Sequence, residues 1–232
     1  MKVNGIDIRK YDAKQLKADL QPPSLSVNYE WMKGALMPTE FETPVQMGHL
    51  KLSVYFRGKN RNSIIRTASE FMANFTKSCD LELDGYKGRY KGFITADDYQ
   101  KMKVKNRYIL NLEFDGFLYD DELEIVFDGK LSGKHYMVGT RETPCVVKVY
   151  AKENLENYAI SGFGESDIII EDAAAGETIV IDGMTGMVTS NGASAFDRVD
   201  LWEFPVLRTG ETSLSFSSAS AIVKMRYKPM WI

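Results

Sequence analysis

The chain is poor in the residues that do chemistry. Its 232 residues include only two histidines and two cysteines. His49 falls on the polar face of a strand pattern, and His135 lies in the turn-rich run SGKHYMVG, in the other half of the chain and beside neither cysteine. A shared site therefore lacks the usual general base and the usual imidazole ligand. Cys79 and Cys145 sit in strand-like segments without zinc spacing, and both read as buried, reduced thiols. No G-x-S-x-G elbow, calcium loop or zinc pattern occurs. Gly162-Phe163-Gly164 is followed by ESDIII, a strand pattern, where a phosphate cradle requires a helix. No apolar run approaches the roughly 18 residues of a membrane span. The start, MKVNGIDIRKYD, lacks the apolar core of a secretory signal, so synthesis and assembly in the cytoplasm are expected. These absences point away from an enzyme and call for no metal and no cofactor.

The acidic clusters do not fill the gap. Asp120-Asp121-Glu122, Glu165-Ser166-Asp167 and Glu171-Asp172 place adjacent acids on opposite faces of a strand. Glu165 and Asp167 would share a face, where a weak calcium site is conceivable, but a solvated strand edge is the simpler reading.

What is present is ordinary globular composition, 44% hydrophobic and 26% charged. The net charge of −3 is unevenly spread. Residues 1–118 carry 19 Lys and Arg against 14 Asp and Glu, while 119–232 carry 10 against 18. A basic half joined to an acidic half places a domain boundary near residue 118. The cations from Lys87 to Arg107 alternate with strand residues, a solvated sheet face rather than a nucleic-acid patch.

Residues 1–118 read as an α+β domain, an antiparallel sheet with one helix. VNGIDI is a short strand or two with a polar turn, and Pro22-Pro23 enforce an extended passage. The turn-rich stretch from Lys33 to Gly48 is a long loop without regular structure, a candidate contact-making segment. In HLKLSVYFR, Leu50, Leu52, Val54 and Phe56 share one face. Ile64, Ile65, Ala68, Phe71, Met72 and Phe75 recur at helical spacing after a cap at Asn60 or Asn62. CDLELDGYKGRYKGFIT predicts a hairpin turning tightly at Asp84-Gly85, and VKNRYILNLEF predicts a strand with Val104, Tyr108, Leu110, Leu112 and Phe114 inward.

Residues 119–232 offer no helical period. ELEIVFD, PCVVKVYA, NYAISGF, SDIIIE, ETIVID, SLSFSS and AIVKMRY are short strands separated by glycine turns, which predicts a β-sandwich and a mainly-β chain overall. Such a sandwich can bind sugar by stacking it on an aromatic ring, and Trp202, Tyr136 and Tyr158 are the candidates. Trp202, close to a proline, also reads as a packing residue at a strand end.

The most distinctive residues shape turns and corners. AGETIVIDGMTGMV is a strand, a glycine turn and a returning strand; WEFPVLRTGETSLSFSS follows, and AIVKMRYKPMWI closes the chain. Ile181, Asp182 and Gly183, then Phe204, Pro205, Leu207, Gly210 and Leu214, then Tyr227, Pro229 and Trp231 give this succession a pattern. It resembles the C-terminal domain of siphophage distal tail proteins, the phage tail component family. The N-terminal half follows the family's order more loosely, from the Asn4-Gly5 turn to the hairpin around ELDGYKGRYKGFI. The resemblance implies a galectin-like C-terminal sandwich at 119–232 and a ring-forming domain at 1–118. It implies a homo-hexameric hub at the virion tail tip, of a phage or a prophage, assembled in the bacterial host cytoplasm. Its implied partners are the tail tube protein above and tail-tip, baseplate and receptor-binding proteins below, with no membrane or specific nucleic acid. The candidate ring-interface residues are Lys33, Gly34, Leu36, Met37, Pro38, Phe41, Pro44 and Met47. A sugar-binding module and a tail-tube-type ring protein remain alternatives.

Overall fold

Period-two alternation of large apolar with polar residues runs through most of the chain, and the fold is built from it. The structure, a computed structural model, describes residues 1–23, 28–41, 46–102 and 106–231, without the side chains of Glu40 and Lys101. It divides into two units, Met1–Tyr119 and Asp120–Trp231.

In the first unit the strands are β1 Lys2–Val3, β2 Ile6–Asp7, β3 Ala13–Gln21, β4 Tyr29–Glu30, β5 Thr39–Glu40, β6 Gly48–Arg57, β7 Cys79–Glu82, β8 Arg89–Lys101 and β9 Arg107–Tyr119. The main sheet runs β2-β1-β7-β8-β9-β6-β3, and β4 pairs with β5 as a separate hairpin. The inward faces of β6 and β9 bury Leu50, Leu52, Val54 and Phe56 against Tyr108, Leu110, Leu112 and Phe114. Val104, expected on that face, lies outside the described residues.

Helix α1, Arg61–Met72, covers this face. Asn60 caps it: its side chain accepts the Ser63 N–H at 2.8 Å, and the Ser63 hydroxyl accepts the Asn60 N–H at 3.2 Å. Phe71 is fully buried with its ring edge-on to Tyr11, Phe56 and Phe75 at 5.1–5.7 Å between centroids. Ile64 and Ala68 are buried too, but Ile65, expected inward, is 57% exposed. One hundred degrees of helical rotation per residue separates Ile65 from its buried neighbour Ile64.

Three features escaped the sequence reading. β3 forms a sheet edge where only a polar turn was expected, because Ala13 and the partly buried Ala18 and Leu20 supply too little apolar contrast to show. The stretch after Pro23 contains a short hairpin rather than only irregular loop. The β7–β8 turn is wider than two residues, with both Gly85 and Gly88 at positive φ.

The second unit contains β10 Leu123–Asp128, β11 Ser132–Met137, β12 Thr143–Ala151, β13 Leu155–Ser161, β14 Ile168–Ala173, β15 Thr178–Asp182, β16 Met187–Ser190, β17 Ala193–Ser194, β18 Val199–Asp200, β19 Val206–Leu207, β20 Gly210–Phe216, β21 Ala221–Tyr227 and β22 Met230–Trp231. One sheet runs β10-β21-β12-β15-β16-β17, with β19 beside β12, and the other runs β11-β20-β13-β14-β18. Their inner faces share one core, in which Val147, Ile181 and Met225 of the first meet Ile160, Ile170 and Leu214 of the second. This is a β-sandwich. Strand β11 corrects a sequence expectation: His135 stands in a strand, not a turn. Gly133 suggested the turn, but a Cβ there would come within 2.2 Å of the Phe127 ring, so the glycine makes room for an aromatic.

Candidate interaction surfaces

After Gln21 the chain leaves the main sheet and returns to it at Gly48. Between them β4 and β5 pair antiparallel, Tyr29 opposite Glu40 and Glu30 opposite Thr39. The Phe41 N–H donates to the Asn28 carbonyl at 2.9 Å, and the Ala35 N–H donates to the Met32 carbonyl at 3.0 Å. The turn needs Gly34, whose φ of +89° disfavours a side chain. The hairpin's apolar side chains are in solvent: Leu36 is 95% exposed, Met37 77%, and Tyr29, Trp31 and Met32 more than half. Apolar exposure this continuous makes the hairpin a candidate contact surface.

The candidate interface residues fall along this segment. Lys33, Gly34, Leu36 and Met37 are exposed near the tip, Pro38 is half-buried, and Phe41 and Met47 are exposed. Pro44 lies outside the described residues. Tyr29, Trp31 and Met32 were missed; the alternation in NYEWM, just beyond two prolines, was the available signal.

In the second unit the motif residues build corners. The Asp182 carboxylate accepts the Met184 and Thr185 N–H groups at 2.8 and 3.2 Å and closes the β15–β16 turn. A Cβ on Gly183 would lie 2.4 Å from the Pro205 carbonyl, so the two motif segments touch backbone to backbone. Phe204 packs edge-on to Phe196 at 5.9 Å, and Ile181, Leu207 and Leu214 are buried. Gly210 opens β20 at a φ of +95°. The buried Tyr227 hydroxyl lies 2.8 Å from His135 Nε2 and accepts the Val138 N–H at 3.1 Å. Burial lowers the His135 pKa. At the chain end the Pro229 carbonyl accepts the Asp120 N–H, and the Trp231 indole donates to the Asp120 carboxylate, both at 2.9 Å.

The aromatic candidates for sugar stacking separate. Tyr136 is 73% exposed on β11. Trp202 is 90% exposed, not packed at a strand end; the neighbouring Glu203 is held instead, its carboxylate accepting the Glu165 N–H at 2.6 Å. Tyr158 is buried in the sandwich core and offers no face to a sugar.

Several other polar groups pair with near neighbours. His49 faces Asp115 at 2.8 Å and Glu113 at 3.5 Å across β6 and β9. Glu122 pairs with Arg226 at 3.3 Å, and Asp172 with Arg198 at 3.1 Å. Cys79 and Cys145 are buried free thiols. Among the described residues, no group of three or more His, Cys, Asp or Glu side chains is arranged to hold a metal ion. Among the described residues, no helix is long and apolar enough to cross a membrane.

The family described as "Siphovirus-type tail component, C-terminal domain" matches residues 138–231. No curated protein matches the chain by sequence. Among solved structures, the chain is similar to the SPP1 Dit (gp 19.1) protein, described as a paradigm of hub adsorption apparatus in Gram-positive infecting phages. That likeness has a TM-score of 0.79 at 9% identity and covers 99% of this chain and 98% of the other. A second likeness, to a chain of the phage P2 baseplate in its activated conformation with Ca, has a TM-score of 0.50 at 9% identity and covers 96% and 92%. At such identity these likenesses establish the fold, mainly β with a single α-helix among the described residues.

Proposed function

We propose that this chain, whose residues 138–231 match the siphovirus-type tail component family, is a structural protein of a phage tail. It sits at the tail tip of a phage or prophage particle, assembled in the host cytoplasm. Six copies form a ring through the domain at 1–118. The ring joins the tail tube to tail-tip, baseplate and receptor-binding proteins, which engage the sandwich at 119–232. Its work is mechanical connection, without catalysis.

The observation that carries this reading is the hairpin around Leu36. A lone soluble domain rarely keeps so much apolar side chain in water, whereas a subunit that buries it against a neighbour gains about 25 cal/mol per Å2 covered. A ring also needs a heterologous contact, in which one subunit's patch meets a different patch on the next. Light scattering with negative-stain imaging of the purified chain tests the reading. A sixfold annulus is expected, and long tubes would favour a tube protein instead. Alanine or deletion variants in 33–48 that still close rings would remove that segment from the interface.

One observation favours a second activity: Trp202 and Tyr136 both stand in solvent on the sandwich. Glycan-array binding that disappears in Trp202→Ala or Tyr136→Ala would establish a sugar-binding surface; an unchanged blank array would dismiss it.

A further inference from the structure

Tyr136 and the loop carrying Trp202, far apart in sequence, border one small pocket on the sandwich. The pocket holds about 150 Å3 and is lined by Gly164, Arg208, Glu211 and Ser213 among others. Pockets for drug-sized ligands start at roughly 300 Å3, so this one suits a single small ring. On one side, the register of β11 with β20 sets Tyr136 directly opposite Glu211. Glu211 and Ser213 are exposed on the outer face of β20, while Thr212 and Leu214 between and beyond them are buried. On the other side, the Glu203 carboxylate accepts the Glu165 N–H at 2.6 Å and fills the space that a Cβ on Gly164 would need. Trp202 directly precedes Glu203 in that loop and is 90% exposed.

The polar groups of the pocket complement sugar hydroxyls. The Glu211 carboxylate takes a hydrogen bond from Lys134 Nζ at 2.7 Å, which orients it on the β11–β20 surface. Its other oxygen remains an acceptor. Arg208 is exposed and enters no ion pair among the described residues, and its guanidinium can only donate. A hydroxyl both donates and accepts, so neighbouring hydroxyls of one ring satisfy an acceptor and a donor on one rim. The apolar face of the same ring matches the exposed ring of Tyr136. Charge selects among sugars. Arg208 and Lys134 stand against Glu203, Glu211 and, on the β13–β14 loop, Glu165 and Asp167. An anionic sugar meets a surplus of carboxylates here, and a neutral one does not.

We infer that this pocket binds a neutral hexopyranose unit of a glycan, its hydroxyls held between Glu211 and Arg208 and its apolar face stacked on Tyr136. This rests on the sugar-binding reading above and names its pocket and its class of sugar.

The test titrates the full chain by calorimetry with the neutral disaccharides lactose, maltose, cellobiose and diacetylchitobiose, and with the acidic sugar glucuronate. At least one neutral disaccharide is expected to bind, and glucuronate is not. Glu211→Ala and Arg208→Ala, both at exposed positions, are each expected to weaken binding about tenfold, the scale of a lost hydrogen bond to a charged group. Tyr136→Ala is expected to abolish binding, and Tyr136→Phe, which keeps the ring face, to retain it. Binding that disappears in Trp202→Ala but is untouched by Glu211→Ala and Arg208→Ala overturns the pocket and leaves the sugar-binding reading standing. Tighter binding of glucuronate than of the neutral sugars overturns the class of sugar. Blank titrations together with a blank glycan array overturn the pocket and the reading together.

Discussion

Arg198 and Glu177 form a two-toothed clamp between the sheets of the sandwich. The Arg198 guanidinium donates to the two Glu177 carboxylate oxygens at 2.7 and 2.9 Å. Glu177 directly precedes β15 of one sheet, and Arg198 directly precedes β18 of the other. Arg198 also donates to the Asp172 carboxylate and carbonyl on β14, while Glu177 accepts from the Ser190 hydroxyl and the Ala174 N–H. The carboxylate is only 14% exposed, so its bonds are sheltered from water.

Arg198→Ala is therefore expected to destabilise the second unit by about 2 kcal/mol, the scale of a hydrogen-bonded charge pair left half-buried and unmatched. Arg198→Lys keeps the charge but loses the fork, and is expected to recover only part of the loss. Urea unfolding monitored in the second unit checks both; a change below about 0.5 kcal/mol for Arg198→Ala would refute the clamp.

The same pair predicts an acid dependence. Hydrogen bonds from Arg198, Ser190 and Ala174 lower the Glu177 pKa from its usual 4.5 to about 2. A carboxylate depressed on folding binds protons more weakly in the native state than in the unfolded one. Its stabilisation is present above pH 4.5 and is lost as pH falls from there through about 2. Stability measured across that window should drop more steeply in the native chain than in Glu177→Gln, which has no proton to take up.

The cysteines are expected to be inert. Burial, chiefly, pushes Cys79 up to about 12 and raises Cys145 further, so neither offers thiolate near neutrality. Ellman's reagent should label neither in the folded chain and both after unfolding. Fast labelling under native conditions would show that one of the two cores opens.

Two glycines distinguish crowding from backbone strain. Gly116 stands opposite Gly92 across β8 and β9, and a Cβ there would lie 2.1 Å from the Lys91 carbonyl. Gly116→Ala is expected to cost about 3 kcal/mol, since backbone must move to admit it. Gly85 has open space around it but a φ of +89°, so Gly85→Ala is expected to cost about 1 kcal/mol. Thermal unfolding of the two variants gives the order; equal costs would contradict it.

Legibility followed contrast. The strand carrying Leu50, Leu52, Val54 and Phe56 and the helix carrying Ile64, Ala68 and Phe71 were readable because apolar residues recur at the spacing each element imposes. Asn60 was readable as a cap because capping is local. Residues whose roles depend on distant contacts were misread. Gly133 looked like a turn former, but it accommodates Phe127. Trp202 looked like packing and is in water, whereas Tyr158 looked available and is buried. An aromatic side chain signals burial and binding equally well, and only its neighbours separate the two.

The sequence by itself determined the mainly-β character, helix α1 of the first unit and the turn-forming motif at 181–231, because backbone periodicity and steric turn preferences act over a few residues. Which strands became neighbours, the joining of Glu177 to Arg198, and the pairing that turned residues 29–40 into a hairpin with exposed apolar side chains were decided by tertiary structure. Those choices rest on contacts between residues far apart in the chain, whose benefit appears only after the loops between them have closed.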